Sequence, residues 1–523
     1  MKAIKKTANG YYIRAYSQSS AVHANGLTTY SGEDALPFSL PFTVFAEPKV
    51  AKRLPAAHSG NRTGSVMFAA DGLGGAAAMR HKLFDRGILC GERIIDALFG
   101  GVYEDCGKGR FDDYVRRSFA DITALGEHYF DGVEMMKKSG YFGSRLLGAV
   151  IFHQTVYGGE LKRKAAEILR RAVHGGAGRV SEDMLADAAQ TCERVIRTEL
   201  SAIAAKAGLK YESAFKGLAL LGTTMCLTFA YKFNGKVYAL YFTAGDSRPY
   251  VLTKAGFMQV LPDEERPDGG MSNYIRIDEG SSFHVRCNLF EFPAPCILIN
   301  ATDGCFDSSA FCSPMAFEKM LLGCIADSFD GEKLSLHGAG IKMQSVFDKI
   351  GRHDDSRSLV IRFFGLRDGR DIADFAKARL ADLQQKYLSK MPGLLERDYI
   401  GELARLQADR QNRLKAARIY LWSLPAVRAH YLELSVQGSA EDAADIYRRE
   451  WNIGREVADS LLRQGIIDEG QHAEAVRRMG DTSEEDAAAL EGPAARQSEI
   501  FAEYDSVYNS LLPARSPGGR KLK

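Results

Sequence analysis

The sequence predicts an α+β fold followed by an all-α C-terminal region, and three observations carry that expectation. Apolar runs that stop abruptly at an aspartate recur in the first two thirds of the chain, as in residues 65–75 and 296–304. The dipeptide Asn234-Gly235 joins two β-rich runs, a strong hairpin signal. Two long stretches, from Ala76 to about Gly208 and from Asp371 onward, lose the β texture and read as helical.

Taken in order, residues 1–70 read as short strands and turns. They end in a buried strand that delivers Asp71 to a sheet edge, beside glycines that leave the backbone uncovered. In the helical stretch that follows, Ser181 is a plausible N-cap, and Leu185, Ala189, Cys192, Ile196, Leu200 and Ile203 step by three or four along one face. Glycines at 175, 176 and 178 divide this stretch into at least two helical sets. Strands resume at Gly222, with runs at 223–233, 236–243 and 249–253. Residues 262–280 are charged and Gly-rich and read as an exposed excursion or flap. An apolar strand at 296–301, a helix at 314–326 and a last strand at 358–364 complete the first part. Residues 367–515 form the helical region, with Ile446, Trp451, Leu461 and Leu462 on its apolar face, and 516–523 form a basic tail.

Bulk composition narrows the class. At 523 residues the chain can hold two or more domains and a large core. A net charge of +2 gives no global case for nucleic acid or an anionic membrane. The nine cysteines form no Cys-x-x-Cys pair and sit mostly in apolar runs, as reduced core thiols do. The N-terminus lacks the apolar stretch of a signal peptide, and no window approaches the roughly 20 apolar residues of a membrane span. A cytoplasmic protein is the expectation.

The aspartates carry the chemistry. Asp71 is followed by glycines; Asp246 lies in Ala-Gly-Asp-Ser-Arg after the second hairpin strand; Asp303 ends the apolar run at Asp-Gly; Asp354 and Asp355 precede the last strand; Glu33-Asp34 follow Gly32. Any one of these reads equally well as a turn or helix cap. A sheet that gathers them would place several carboxylates within a few ångströms, where they cannot all stay ionised without cations. Oxygen-only ligands favour Mg²⁺ or Mn²⁺ over zinc.

The motif order resembles the metal-dependent PP2C-type (PPM) serine/threonine protein phosphatases, in a bacterial-like variant. The matching run is Glu33-Asp34, Ala70-Asp71-Gly72-Leu73-Gly74-Gly75, Gly222-Thr223-Thr224, Ala244-Gly245-Asp246-Ser247-Arg248, Ala301-Thr302-Asp303-Gly304-Cys305-Phe306-Asp307, and Asp354-Asp355 before Ser358. The resemblance covers about residues 10–366. It implies a four-layer α-β-β-α sandwich over 1–366, with a helical extension within about 76–221. It also implies hydrolysis of phosphoprotein monoesters by a water activated between two Mn²⁺ or Mg²⁺ ions. By position, Asp71 would bridge the ions and Gly72 would offer its carbonyl to one. Asp303 and either Asp354 or Asp355 would complete the first site, and Glu33 the second, with Asp34 orienting a water. Asp246 and Asp307 match positions that hold a third, weaker ion in some bacterial members.

Departures are equally specific. Thr29 stands where the family's phosphate-gripping arginine is expected, and His23 is a candidate phosphate contact in its place. Leu73 and Ala76 occupy positions that carry histidines in other members. The gap from Asp71 to Gly222 exceeds the family norm, and one extra residue before the last strand leaves Asp354 and Asp355 as alternatives. These departures motivate a second reading, a pseudophosphatase that keeps the fold as a binding or regulatory module. An aspartyl-phosphate enzyme does not fit, because neither Asp71 nor Asp303 has an aspartate two residues on. The C-terminal helices are expected to dock on the phosphatase unit or on a protein partner.

Overall fold

Strand β1 (Tyr12–Ser17) begins the described part of the chain, followed by β2 (Ser20–Val22), β3 (Thr28–Tyr30), β4 (Phe38–Thr43) and β5 (Thr63–Ala69), which runs up to Asp71. The two-residue strands β6 (Ala78–Met79) and β7 (Lys137–Lys138) pair with each other, and helices α1 (Ile94–Phe99) and α2 (Arg110–Ser118) lie between them in sequence. Helices α3 (Ser139–Val156), α4 (Glu160–Gly175) and α5 (Glu182–Ala207) follow. Then come β8 (Met225–Phe233), β9 (Lys236–Ala244), β10 (Arg248–Thr253), β11 (Phe257–Gln259), β12 (Arg286–Pro293) and β13 (Cys296–Ala301). Helices α6 (Pro314–Ala326) and α7 (Leu336–Ile350) precede β14 (Arg357–Phe364). The C-terminal helices are α8 (Gly369–Leu383), α9 (Tyr399–Ser423), α10 (Pro425–Leu434), α11 (Arg455–Arg463), α12 (Glu469–Met479) and α13 (Glu484–Ser510). This structure, a computed structural model, describes residues 12–17, 20–22, 28–30, 34–45, 63–72, 78–79, 94–103, 109–119, 137–207, 221–262, 264, 273–277, 282–305, 314–350, 357–385, 399–434, 443, 446–447, 454–480 and 484–510.

Two five-stranded antiparallel sheets form the centre, ordered β1-β14-β13-β10-β11 and β12-β9-β8-β5-β4. The two-residue period of a strand explains how each is buried on both faces. In β13, Ile297 and Ile299 join Phe317, Leu321 and Ile325 of α6, whereas Leu298 joins Met67 of β5 and Tyr241 of β9. In β5, Val66 and Phe68 instead join residues of α3, α4 and α5, including Leu146, Ile168 and Ile196. Side chains of both sheets therefore share one cluster, and each sheet's other face shares a cluster with helices. A polar contact crosses between the sheets as well. The buried Asn300 amide of β13 donates to the carbonyls of Met67 (3.2 Å) and Cys226 (3.0 Å) and accepts from Thr228 Oγ1 (2.8 Å). That satisfies a side chain which would be costly to bury unpaired.

The hairpin at Asn234-Gly235 joins β8 to β9 with positive φ at both residues (45° and 74°), the primed turn that two-residue hairpins require. Ser181 caps α5, its Oγ accepting from Met184 N at 3.3 Å, and Cys192, Ile196, Leu200 and Ile203 are fully buried along that helix. Two readings need correction. The excursion at 262–280 is not wholly exposed: Ile275 is fully buried and exchanges both backbone hydrogen bonds with Thr223 (3.0 and 2.8 Å). Strand β12 lies in a stretch that the sequence left unassigned, because its edge position leaves Arg286 to Glu291 only partly buried and removes any clean alternation.

The C-terminal helices make two sets of contacts. Ile372 and Ala376 of α8 join the apolar cluster of the first sheet. Arg379 of α8 donates through Nε to Glu318 of α6 at 2.7 Å, both side chains being buried. Farther on, Leu421, Tyr431, Leu461 and Met479 belong to a separate cluster that also includes Ile446 and Leu462 as partly buried members. Trp451 lies outside the described residues. Among the described residues, no helix is long and apolar enough to cross a membrane.

Candidate active site

The chain leaves β5 at Ala69, and the backbone of Asp71 is then gripped on both sides. Its N–H donates to Thr224 Oγ1 at 3.0 Å, and its carbonyl accepts from Thr223 Oγ1 (2.6 Å) and from Thr224 N (2.8 Å). Gly72 is buried and bridges to Thr223, which bridges in turn to Ile275. Two hydroxyls of the Gly222-Thr223-Thr224 motif thus fix the peptide that carries Asp71. Thr224 Oγ1 also lies 2.6 Å from Ser247 Oγ, which ties this cradle to the residue after Asp246.

Asp34 approaches from the other side. It is fully buried, and Thr302 Oγ1 donates to its Oδ2 at 2.8 Å. The flanking backbone is pinned to both sheets: Ala35 N donates to Ala70 O at 2.9 Å, and Ser358 Oγ donates to Ala35 O at 2.7 Å. Ser358 N donates to Thr302 Oγ1 at 2.9 Å, closing the ring of contacts at the ends of β5, β13 and β14. Burial pushes the Asp34 carboxyl above its ordinary range, while hydrogen bonds with Asp71, Thr302 and Ser358 and the charge of Arg145 work the other way.

Asp303 opens a short 3-10 turn just past β13, with its own Oδ1 accepting from Gly304 N at 2.8 Å. It is partly buried and adjoins Thr302, the partner of Asp34. Asp246 sits at the β9–β10 turn, where Gly245 takes a positive φ of 85° that favours glycine. The Gly245 N–H donates to Glu264 Oε2 at 2.9 Å, so the excursion also holds this turn. Arg286 pairs with the same carboxylate at 3.2 Å.

The structure therefore links the Asp34 and Asp71 segments through the Ala35–Ala70 hydrogen bond and brings the neighbours of Asp246 and Asp303 into the same network. Glu33, Asp307, Asp354, Asp355 and His23 lie outside the described residues, as do Leu73 and Ala76. Among the described residues, no three His, Cys, Asp or Glu side chains form a metal-ligand group. Carboxyl groups gathered at neighbouring strand ends inside a fold need protons or cations to offset their repulsion. Their surroundings offer oxygen donors, which is the ligand chemistry of hard divalent ions. In that respect the residues fit such an ion.

Two kinds of participant escaped the sequence reading. Thr302 and Ser358 supply the hydroxyls around Asp34, and their only signal was proximity to Asp303 and to the last strand. Arg145 had a clearer one, a lone charge in the apolar run Gly-Ser-Arg-Leu-Leu-Gly-Ala-Val-Ile-Phe.

No protein-family model and no curated protein matches this chain. Solved structures do. The serine/threonine phosphatase PstP/Ppp of Mycobacterium tuberculosis is 14% identical, over 68% of this chain and 98% of its own, with a TM-score of 0.32. The catalytic domain of PstP in complex with two manganese ions is 14% identical, over 68% and 99%, with a TM-score of 0.29. The PPM Ser-Thr phosphatase MsPP of Mycobacterium smegmatis, in complex with cacodylate, is 13% identical, over 68% and 100%, with a TM-score of 0.27. All three are serine/threonine phosphatases, and the last carries the name of the family that the motif order resembles.

Proposed function

We propose that this chain is a PP2C-type phosphoprotein serine/threonine phosphatase that hydrolyses phosphate monoesters at a binuclear Mn²⁺ or Mg²⁺ centre. The observation that supports this most is convergence. Asp34, Asp71, Thr223, Thr224, Ser247, Thr302 and Ser358 come from segments as far as 323 positions apart and meet in one hydrogen-bonded network. Each belongs to, or adjoins, a motif of the resemblance. The shared inter-sheet cluster and the two outer sheet–helix clusters support a four-layer α-β-β-α reading of residues 1–366. Residues 367–515 then form the helical region, a candidate surface for a protein partner.

The roles follow the motif positions. Asp71 would bridge the two ions, with the Gly72 carbonyl beside it. Asp303 and Asp354 or Asp355 would complete one site, Glu33 would serve the other, and Asp246 with Asp307 would take a third. When bound, the ions would lower the pKa of a shared water and neutralise phosphoryl oxygens during in-line attack. The chain's own contribution is positioning. Thr223 and Thr224 fix the peptide of Asp71, and Asp34 offers its carboxylate as acceptor to the attacking water. Thr302 keeps that carboxylate from turning away.

The test is Mn²⁺-dependent release of phosphate from a phosphopeptide and from p-nitrophenyl phosphate. Asp303→Asn should lower kcat about 10²–10³-fold, the range expected when one charge-stabilising group is lost. Wild-type chain that binds no Mn²⁺ by calorimetry and releases no phosphate sinks the enzyme reading and leaves the binding module.

A further inference from the structure

Glu264 closes a ring of contacts that passes on both sides of Asp246. Its Oε2 accepts from the Gly245 N–H at 2.9 Å, immediately before Asp246, and from the Asn273 amide at 2.7 Å. Two residues beyond Asn273, Ile275 exchanges both backbone hydrogen bonds with Thr223, at 3.0 and 2.8 Å. Thr223 Oγ1 donates to the Asp71 carbonyl at 2.6 Å, and the next residue, Thr224, places its Oγ1 2.6 Å from Ser247 Oγ. Ser247 immediately follows Asp246. The path thus returns to Asp246 from the opposite flank, having gripped the peptide of Asp71 on the way.

The members of this ring are chemically suited to a fixed support. An ionised carboxylate only accepts, so one oxygen of Glu264 serves two N–H donors at once. Hydrogen bonds to a charged acceptor are about twice as strong as neutral ones. The other oxygen pairs with Arg286 Nε at 3.2 Å, and Arg286 Nη2 donates to the Pro262 carbonyl at 2.8 Å, so β12 braces Glu264 from a third direction. Asn273 is held in turn. Its Nδ2 also donates to the His284 carbonyl at 2.7 Å, and its Oδ1 accepts from the His284 N–H at 3.0 Å. With the Glu264 side chain only 15% exposed, water competes little for these bonds.

We propose that Glu264 is a positioning residue for Asp246, holding that residue in register with the Asp71 cradle from the stretch between β11 and β12. It acts through the Gly245 turn and needs no contact of its own with ion or substrate. Supports of this kind behind a metal-ligating carboxylate typically contribute 10- to 100-fold, in order of magnitude, to metal affinity. The consequence for ion binding rests on the phosphatase reading; the support of the turn does not.

Hydrogen exchange followed by mass spectrometry on the full-length chain reads the turn directly. Glu264→Ala should speed exchange about tenfold or more in a peptide covering residues 244–248, while a peptide covering 455–480 keeps its wild-type rate. Unchanged exchange over 244–248 overturns the proposal. So does equal acceleration in both peptides, which marks a general loss of stability. If Glu264→Ala does not fold, Asn273→Ala and Arg286→Met each free one side of the same carboxylate. Faster exchange confined to 244–248 in either variant then supports the proposal, and wild-type rates in both overturn it. In Mn²⁺-dependent hydrolysis of p-nitrophenyl phosphate, Glu264→Ala should raise the half-saturating Mn²⁺ concentration about 10- to 100-fold. Glu264→Gln still offers the Gly245 amide an oxygen and should recover most of that loss. A half-saturating concentration that Glu264→Ala leaves unchanged overturns the positioning role. Wild-type chain that releases no phosphate refutes the phosphatase reading instead, and hydrogen exchange then decides for Glu264.

Discussion

Glu199 brings a carboxylate into the helical layer, where Tyr103 Oη donates to its Oε2 at 2.6 Å and the Gln154 amide donates to Oε1. Burial raises its proton affinity, and these two donors only partly oppose that. The protonated form is therefore the one that the fold favours. Its contribution to stability is complete below the ordinary value of 4.5 and is lost as pH rises through the higher value of the folded state. Melting temperatures measured from pH 4 to pH 8 should fall over that window in the wild type, and Glu199→Gln should remove that part of the slope. An identical slope in both proteins would show that other groups set it. Asp34 is also raised by burial, but its interaction with neighbouring groups makes any titration there a shared property.

Among the elements, α3 is the one whose seat is most exacting. Gly143→Ala forces a Cβ against the Leu221 and Gly222 carbonyls, which are backbone atoms that cannot rotate away. The expected cost is about 1–3 kcal/mol in urea unfolding, with lowered activity because the shift passes to Thr223 and Thr224. A variant as stable as wild type would mean that the helix can slide. This element also shows where sequence reading stops. Strands β8, β9, β13 and β14 were legible because their apolar residues and turn signals are local properties. So were the strand-end positions of Asp71, Asp246 and Asp303, since an apolar run ending in aspartate is visible in one dimension. Helix α3 is buried nearly all round, so no polar face announced what it packs against. The hydroxyls of Thr224, Ser247, Thr302 and Ser358 were hidden for a different reason. A serine or threonine has no sequence mark of a distant partner, and theirs lie in segments far away in the chain.

At the scale of the whole molecule, the division at residue 366 meets a physical obstacle. Helix α8 lies beyond it, yet its Ile372 and Ala376 share the apolar cluster of the first sheet, and its Arg379 neutralises the buried Glu318. Taking one partner from a buried pair costs about 3–5 kcal/mol. A chain ending at residue 366 should therefore melt well below one ending at residue 385, and light scattering should show it aggregating. Equal melting temperatures would make α8 an appendage.

The pairing of β1 with β14, Tyr12 opposite Arg362, has a bearing on synthesis. The first strand of a sheet is completed by the last, and the second sheet also waits, because β5 pairs with β8 across the whole helical insertion. Such distant pairings close late and leave strand edges open meanwhile. Helices α3, α4 and α5 can form as they leave the ribosome, but the ring of contacts around Asp34 needs Thr302 and Ser358. A nascent chain stopped short of residue 358 carries both aspartates and no site.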